Sequence, residues 1–220
     1  YKRVLDIVEN AYGPTHPNVA IILNDVADLH RAQGDYAKAA PPYKRSLDIR
    51  EDALGSNHPD VATSLNNLAE LYRTQGDYAK AEPLHKRSLA IRAKILGSDH
   101  PAVATSLSDL ALLYQTQGDY VKAEPLHKHS LDILEEALGP NHPNVAMGLN
   151  NLGALYENQG DYIRAEPLYK RSLDIREKTL GSDYPDVATA LNNLAGLHRA
   201  QGDYVNGSLK LTPFDLIPAV

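Results

Sequence analysis

The chain has 220 residues, 43% of them hydrophobic, with 22 basic and 28 acidic side chains, a net charge of −6 and no cysteine. That balance excludes a disulfide framework and a thiolate metal site, and it argues against a nucleic-acid surface, which needs a dense basic face. No apolar run approaches the roughly 20 residues that cross a bilayer and no leader peptide is recognisable, so the sequence reads as cytoplasmic by default, without membrane contact.

Residues 1–13 align with Tyr43 to Gly55 and read as the back half of a repeat, so the chain reads as a piece of a longer protein. Complete units follow at 14–55, 56–97, 98–139 and 140–181. A further unit begins at 182 and keeps the pattern to 204, as the first helix of an incomplete repeat; residues 205–220 form a divergent tail. The step is 42 residues throughout: Gly34-Asp35-Tyr36 becomes Gly76-Asp77-Tyr78, then Gly118-Asp119-Tyr120, Gly160-Asp161-Tyr162 and Gly202-Asp203-Tyr204. A fixed period of this length predicts one solenoid domain whose units pack on their neighbours.

Each unit reads as two helices of about 16 residues, roughly 24 Å long. In the unit at 56–97, Pro59 suits the first helical turn and Asp60 suits the positive end of the helix dipole. Val61, Leu65, Leu68, Ala69 and Tyr72 then form one apolar stripe. Gly76 ends this helix and Asp77 caps the next, whose apolar set is Ala81, Leu84, Ser88, Leu89, Ile95 and Leu96. Pro83, early in the second helix, removes one backbone hydrogen bond, and Gly97 stops the helix.

The pattern Leu65-x-x-Leu68-Ala69-x-x-Tyr72 followed by Gly76-x-Tyr78-x-x-Ala81 resembles the tetratricopeptide repeat. The 42-residue length, with His-Pro-Asp-Val-Ala, Leu-Asn-Asn-Leu-Ala and Ala-Glu-Pro-Leu-x-Lys-Arg-Ser-Leu, is similar to the repeat domain of kinesin light chains and their bacterial relatives. Leucine replaces the family's early tryptophan in every copy. The resemblance implies an all-α tetratricopeptide-repeat α-solenoid, a right-handed superhelix of antiparallel helix pairs. It also implies a non-catalytic scaffold that binds an extended peptide or partner segment in its concave groove, with no cofactor.

The His-Pro pairs at His16, His58, His100 and His142 recur along the array rather than converging, so they read as turn residues and not as metal ligands. His85 and His127 occupy the slot of Tyr43 and Tyr169 and read as packing residues. Arg50, Arg92 and Arg176 share a slot with Val8 and Leu134, which marks a half-buried position with a packed stem and a head that reaches an edge. No nucleophile–base order or phosphate loop stands out.

The candidate site is the polar face of the first helices, which line the groove in the family. It contains Asn24 and Arg31; Thr63, Asn66, Asn67 and Arg73; Thr105, Ser108 and Leu112; Met147, Asn150 and Asn151; and Asn192 and Arg199. Asn24, Asn66, Asn150 and Asn192 form a ladder broken only by Ser108. A carboxamide both donates and accepts, so the ladder suits the backbone of an extended peptide; the plainer reading is that it ties adjacent helices together. Arg73 and Arg199 are expected to select a ligand carboxylate, and Leu112 and Met147 an apolar side chain. The partners are therefore protein or peptide segments. An alternative is a structural or self-associating regulatory module of a larger protein. The tail is a route to self-association, because Leu209, Leu211, Phe214, Leu216, Ile217 and Val220 are too apolar for a solvated end.

Overall fold

The computed structural model describes residues 2–202, and the readings made for the tail lie outside them. The described residues form helices and turns without a strand. The chain divides into two compact units, residues 1–117 and 118–220. The first contains α1 (Lys2–Tyr12), α2 (Pro17–Ala32), α3 (Tyr36–Leu54), α4 (Pro59–Thr74), α5 (Tyr78–Leu96) and α6 (Pro101–Thr116). The second contains α7 (Tyr120–Leu138), α8 (Pro143–Asn158), α9 (Tyr162–Leu180) and α10 (Pro185–Ala200). Within each unit every helix packs on the next in sequence, and the most extensive packing joins α2 to α3, α4 to α5 and α8 to α9.

Local chemistry sets the helix limits. The first helix of each pair starts at a proline, at the position where a missing N–H costs nothing. The residue before it caps the helix: the Nδ1 atoms of His16, His58, His100 and His142 accept from the backbone N–H two residues on, at 3.0–3.1 Å. The recurrent histidines are thus N-caps, in a position usually held by Ser, Thr or Asp. Tyr184 makes no such bond. At the other end Gly76 adopts φ +76, and the Asp77 N–H bonds the Tyr72 carbonyl at 2.9 Å. This is the left-handed closure that favours glycine. The Asp77 carboxylate then accepts from the Lys80 N–H at 3.3 Å and starts α5.

The expected stripe on α4 is the core face: Val61, Leu65, Leu68, Ala69 and Tyr72 are all buried. The second helices depart from expectation. They run 19 residues rather than 16, so their last turn outruns the partner helix. Ile95 and Leu96 therefore lie exposed and do not belong to the apolar set. Ile91 and His85 are buried instead. Ser88 is buried because it is bonded: its hydroxyl donates to the Ala62 carbonyl at 2.8 Å. Ser46 does the same to Ala20 and Ser172 to Ala146, each at 2.7 Å. A buried hydroxyl needs such a partner, and this one fixes the register of second helix on first.

Two glycines inside helices differ in what surrounds them. At Gly153 an added Cβ would meet Tyr169 Cε1 at 2.9 Å, whereas nothing lies within 4 Å of one at Gly196. The Tyr169 ring leans over Gly153 to donate to Glu157 Oε2 at 2.6 Å. Gly196→Ala is expected to stabilise the chain by about 0.5–1 kcal/mol through helix propensity. Gly153→Ala is expected to cost about 1 kcal/mol net, because the displaced hydroxyl loses its acceptor. Urea melts of the two variants test this; a stabilising Gly153→Ala would contradict the packing described.

Candidate functional site

The polar face of the first helices is built from slots that recur every 42 residues, and the structure gives most of them partners on an adjacent repeat. In the first unit Asn67 Nδ2 donates to Asn24 Oδ1 at 3.2 Å, and Asn24 Nδ2 donates to Asp28 Oδ2 at 3.2 Å. Asn66 hydrogen-bonds Asp109 on the following first helix, and its Oδ1 lies 3.0 Å from His85 Nδ1. In the second unit Asn193 Nδ2 donates to Asn150 Oδ1 at 2.6 Å. Three of the ladder asparagines, Asn24, Asn66 and Asn150, therefore tie neighbouring first helices together. Asn24, Asn66, Asn67, Asn150 and Asn151 are partly buried, and only Asn192 is exposed.

The remaining candidates sort by exposure. Thr63 and Thr105 are exposed, and their hydroxyls donate to carbonyls one turn back, at 3.3 and 3.2 Å. Ser108 is partly buried. Leu112 and Met147 are 38% and 49% exposed. The Arg73 guanidinium is forked onto Glu70, with Nε to Oε1 at 3.0 Å and Nη2 to Oε2 at 2.8 Å. Its carboxylate partner is thus already supplied, in the bidentate geometry a ligand carboxylate would use. Arg31 stands 3.5 Å from Asp28 with its side chain 44% exposed, and Arg199 is exposed.

Behind this face lies one residue per second helix whose polar end reaches the first helix. Tyr43 donates to Asp28 and Tyr169 to Glu157; burial, reinforced by these bonds, holds both phenols above their ordinary range. His85 fills the same slot in full burial. Its Nδ1–H serves Asn66, which leaves Nε2 without a hydrogen bond, 3.6 Å from Glu70 Oε1. Burial pushes the imidazole down to about 4, partly offset by Glu70. Asp109 shows the reverse effect. Burial, then the charge of Glu70, pushes its carboxyl up to about 6 against Asn66, Arg92 and Arg73, and its Oδ2 has no partner.

The arginine slot also proves to be an inter-repeat tie. Arg50 Nη1 donates to the Asp60 carbonyl at 3.1 Å and Ser64 Oγ at 2.8 Å. Arg92 reaches Ser106 Oγ at 2.7 Å, and Arg176 the Asp186 carbonyl at 2.8 Å. The heads bond the next first helix rather than reaching an open edge. Among the described residues no His, Asp or Glu group could hold a metal ion, and no helix is long and apolar enough to cross a membrane.

Helix pairs closed by Gly-Asp-Tyr turns and joined by side chains from repeat to repeat define a helical-repeat scaffold. The chain belongs to the tetratricopeptide repeat family, whose model matches residues 1–52, 43–94, 60–136, 110–178 and 144–205. It is similar to BtubC (BKLC) from P. vanneervenii, with a TM-score of 0.75 and 25% identity over 92% of this chain and 80% of that one. It is also similar to a Podosopora anserina protein assigned as a kinesin light chain with nearly identical TPR-like repeats, with a TM-score of 0.71 and 28% identity over 86% and 90% of the two chains. Apo RapI shares the fold, with a TM-score of 0.69 at 15% identity over 92% of this chain and 54% of RapI. No curated protein matches the chain. The fold is typically a non-catalytic scaffold for protein–protein interaction.

The opposed shifts of His85 and Asp109 give a pH signature. His85 is lowered, so its contribution is complete above its ordinary 6.5 and is lost as pH falls through about 4. Asp109 is raised, so its contribution is present below its ordinary 3.8 and is lost as pH rises through about 6. Between these limits the two oppose one another. Relative to the parent chain, Asp109→Asn is expected to lose stability as pH falls from 6.5 to 4, by on the order of 1–3 kcal/mol. His85→Tyr, which places the residue of two sister slots there, is expected to lose stability as pH rises from 4 to 6. Urea midpoints against pH test both; unchanged slopes would contradict the assignment.

Proposed function

We infer that the first-helix faces of this chain bind an extended peptide or partner segment, and that the chain is a non-catalytic scaffold for assembly. The observation that carries this reading is the composition of that face. Half-buried carboxamides stand at Asn24, Asn66, Asn67, Asn150 and Asn151, with Ser108 in their place on α6, and exposed apolar side chains accompany them at Ile21, Leu112 and Met147. A carboxamide has two donor hydrogens and two acceptor lone pairs. The inter-repeat bonds use part of that capacity, and what they leave can pair with a peptide backbone whatever its sequence. The same bonds hold the side chains in place before a ligand arrives, which lowers the ordering cost of binding.

The exposed leucine and methionine supply side-chain preference. Arg73 contributes little to selecting a carboxylate, since Glu70 already occupies its fork, whereas Arg31 keeps an exposed guanidinium. The kinship with kinesin light chain-like arrays supports a protein ligand. Net charge −6 argues against a strongly acidic one.

Peptides selected on the intact chain from a random library, followed by calorimetry on variants, test the reading. Asn66→Ala is expected to weaken all selected peptides bound to the first unit by a similar factor, about three- to tenfold, as loss of one net hydrogen bond predicts. Leu112→Glu is expected to weaken only those with an apolar anchor. The asparagine variant should also cost about 1 kcal/mol of stability through its lost inter-repeat bonds. Peptides that bind both variants as tightly as the parent would place the ligand elsewhere.

A further inference from the structure

The slot of Asp109 recurs along the first helices as Asp25, Asn67, Asn151 and Asn193. Asn67 and Asn193 use it to donate to Asn24 and Asn150, one repeat back. Asp109 makes the same tie as an acceptor, from Asn66. A carboxamide would serve that bond equally, so cohesion does not need the charge of Asp109. The charge also carries a cost. The side chain is partly buried, its Oδ2 has no partner, and burial, then the charge of Glu70, pushes the carboxyl up to about 6. A half-buried carboxylate with an unused oxygen is completed by a cationic donor.

The nearby cations of the chain are committed to other groups. Arg73 forks onto Glu70, and Arg92 Nη1 donates to Ser106 Oγ at 2.7 Å. A second observation lies behind them. His85 is fully buried, and its Nδ1–H serves Asn66. Its Nε2 is therefore a bare acceptor, 3.6 Å from Glu70 Oε1 and without a hydrogen bond. Glu70 itself has capacity left, since the fork of Arg73 uses only part of the roughly four lone-pair sites of a carboxylate. Three helices of the first unit, α4, α5 and α6, thus each bring one acceptor with unused capacity to this place.

We propose that Glu70, His85 and Asp109 form a subsite for a protonated amine, the lysine side chain of the segment that the first-helix face binds. The proposal rests on the peptide-binding reading and names a side chain that the ligand carries. An ammonium is a compact charge with three rotatable donors, which suits separate acceptors on three helices. A guanidinium is a planar fork, which suits a single carboxylate. Glu70 and Asp109 are only partly buried, so the amine meets them from solvent, with the imidazole behind Glu70.

The test uses peptides selected on the intact chain from a random library at neutral pH. Peptides that Asn66→Ala weakens mark the first unit, and they are expected to share a lysine. Acetylating that lysine removes its charge and is expected to weaken binding about tenfold or more, as loss of a charged hydrogen bond predicts. Asp109→Asn places the residue of two sister slots there and should keep the fold, checked by circular dichroism; Glu70→Gln is the second variant. Each is expected to weaken the unmodified peptide and to leave the affinity of the acetylated peptide unchanged. Variants that weaken both peptides alike would make the cluster purely structural and overturn the proposal. Peptides that bind equally well after acetylation would overturn it too, and would leave the peptide-binding reading standing. If no selected peptide is weakened by Asn66→Ala, that reading fails for the first unit, and the subsite fails with it.

Discussion

The close seating of each second helix on its own first helix is the constraint from which the rest follows. At the crossing the side chains are small: Ala20, Ala62 and Ala146 on the first helices and Ala39, Ala81 and Ala165 on the second are all fully buried. Small residues let the backbones approach until a serine hydroxyl reaches an alanine carbonyl, as Ser46, Ser88 and Ser172 do. Shape and hydrogen bond together admit one register. Once it is set, the apolar stripe of the first helix is used up, and the polar face has only solvent and neighbouring repeats to meet.

On the proposed reading that face does two jobs with the same atoms. Asn24 with Asn67, and Asn150 with Asn193, spend part of their capacity on cohesion. The buried ends of Tyr43, His85 and Tyr169 reach the same face from behind. A repeat array has few long-range contacts, so its stability is a sum of unit and neighbour terms. Spending polar side chains on the neighbour term gives rigidity to that face, and under the proposed function it would couple occupancy of the face to cohesion between repeats.

Much of the fold was legible in the sequence, because period and apolar spacing are direct consequences of backbone geometry. The stripe from Val61 to Tyr72 needed nothing beyond helical periodicity. The pattern places Ser88 and His85 inside, where they lie, but the bonds that keep them there were not legible, and the reading failed where an apolar residue is exposed. Ser88 and His85 are buried because each finds one specific acceptor, a fact carried by the partner helix rather than by local pattern. Ile95 and Leu96 are exposed because the helix outlasts its partner. The histidine caps had a visible signal, since they directly precede proline at each helix start, but imidazole is an uncommon cap. The asparagine doublets at Asn66-Asn67, Asn150-Asn151 and Asn192-Asn193 also carried their signal. Two adjacent residues on a helix point to different sides, so one reaches back and the other forward.

The claim that the first-helix asparagines join neighbouring repeats is tested most directly by a double-mutant cycle on Asn24 and Asn67. The stabilities to compare are those of the parent, Asn24→Ala, Asn67→Ala and the double variant, each from urea unfolding at pH 7. The account predicts that the two substitutions are not additive, with a coupling of about 0.5–1.5 kcal/mol for one net hydrogen bond. Additive effects would contradict it, and would leave the ladder as independent surface side chains.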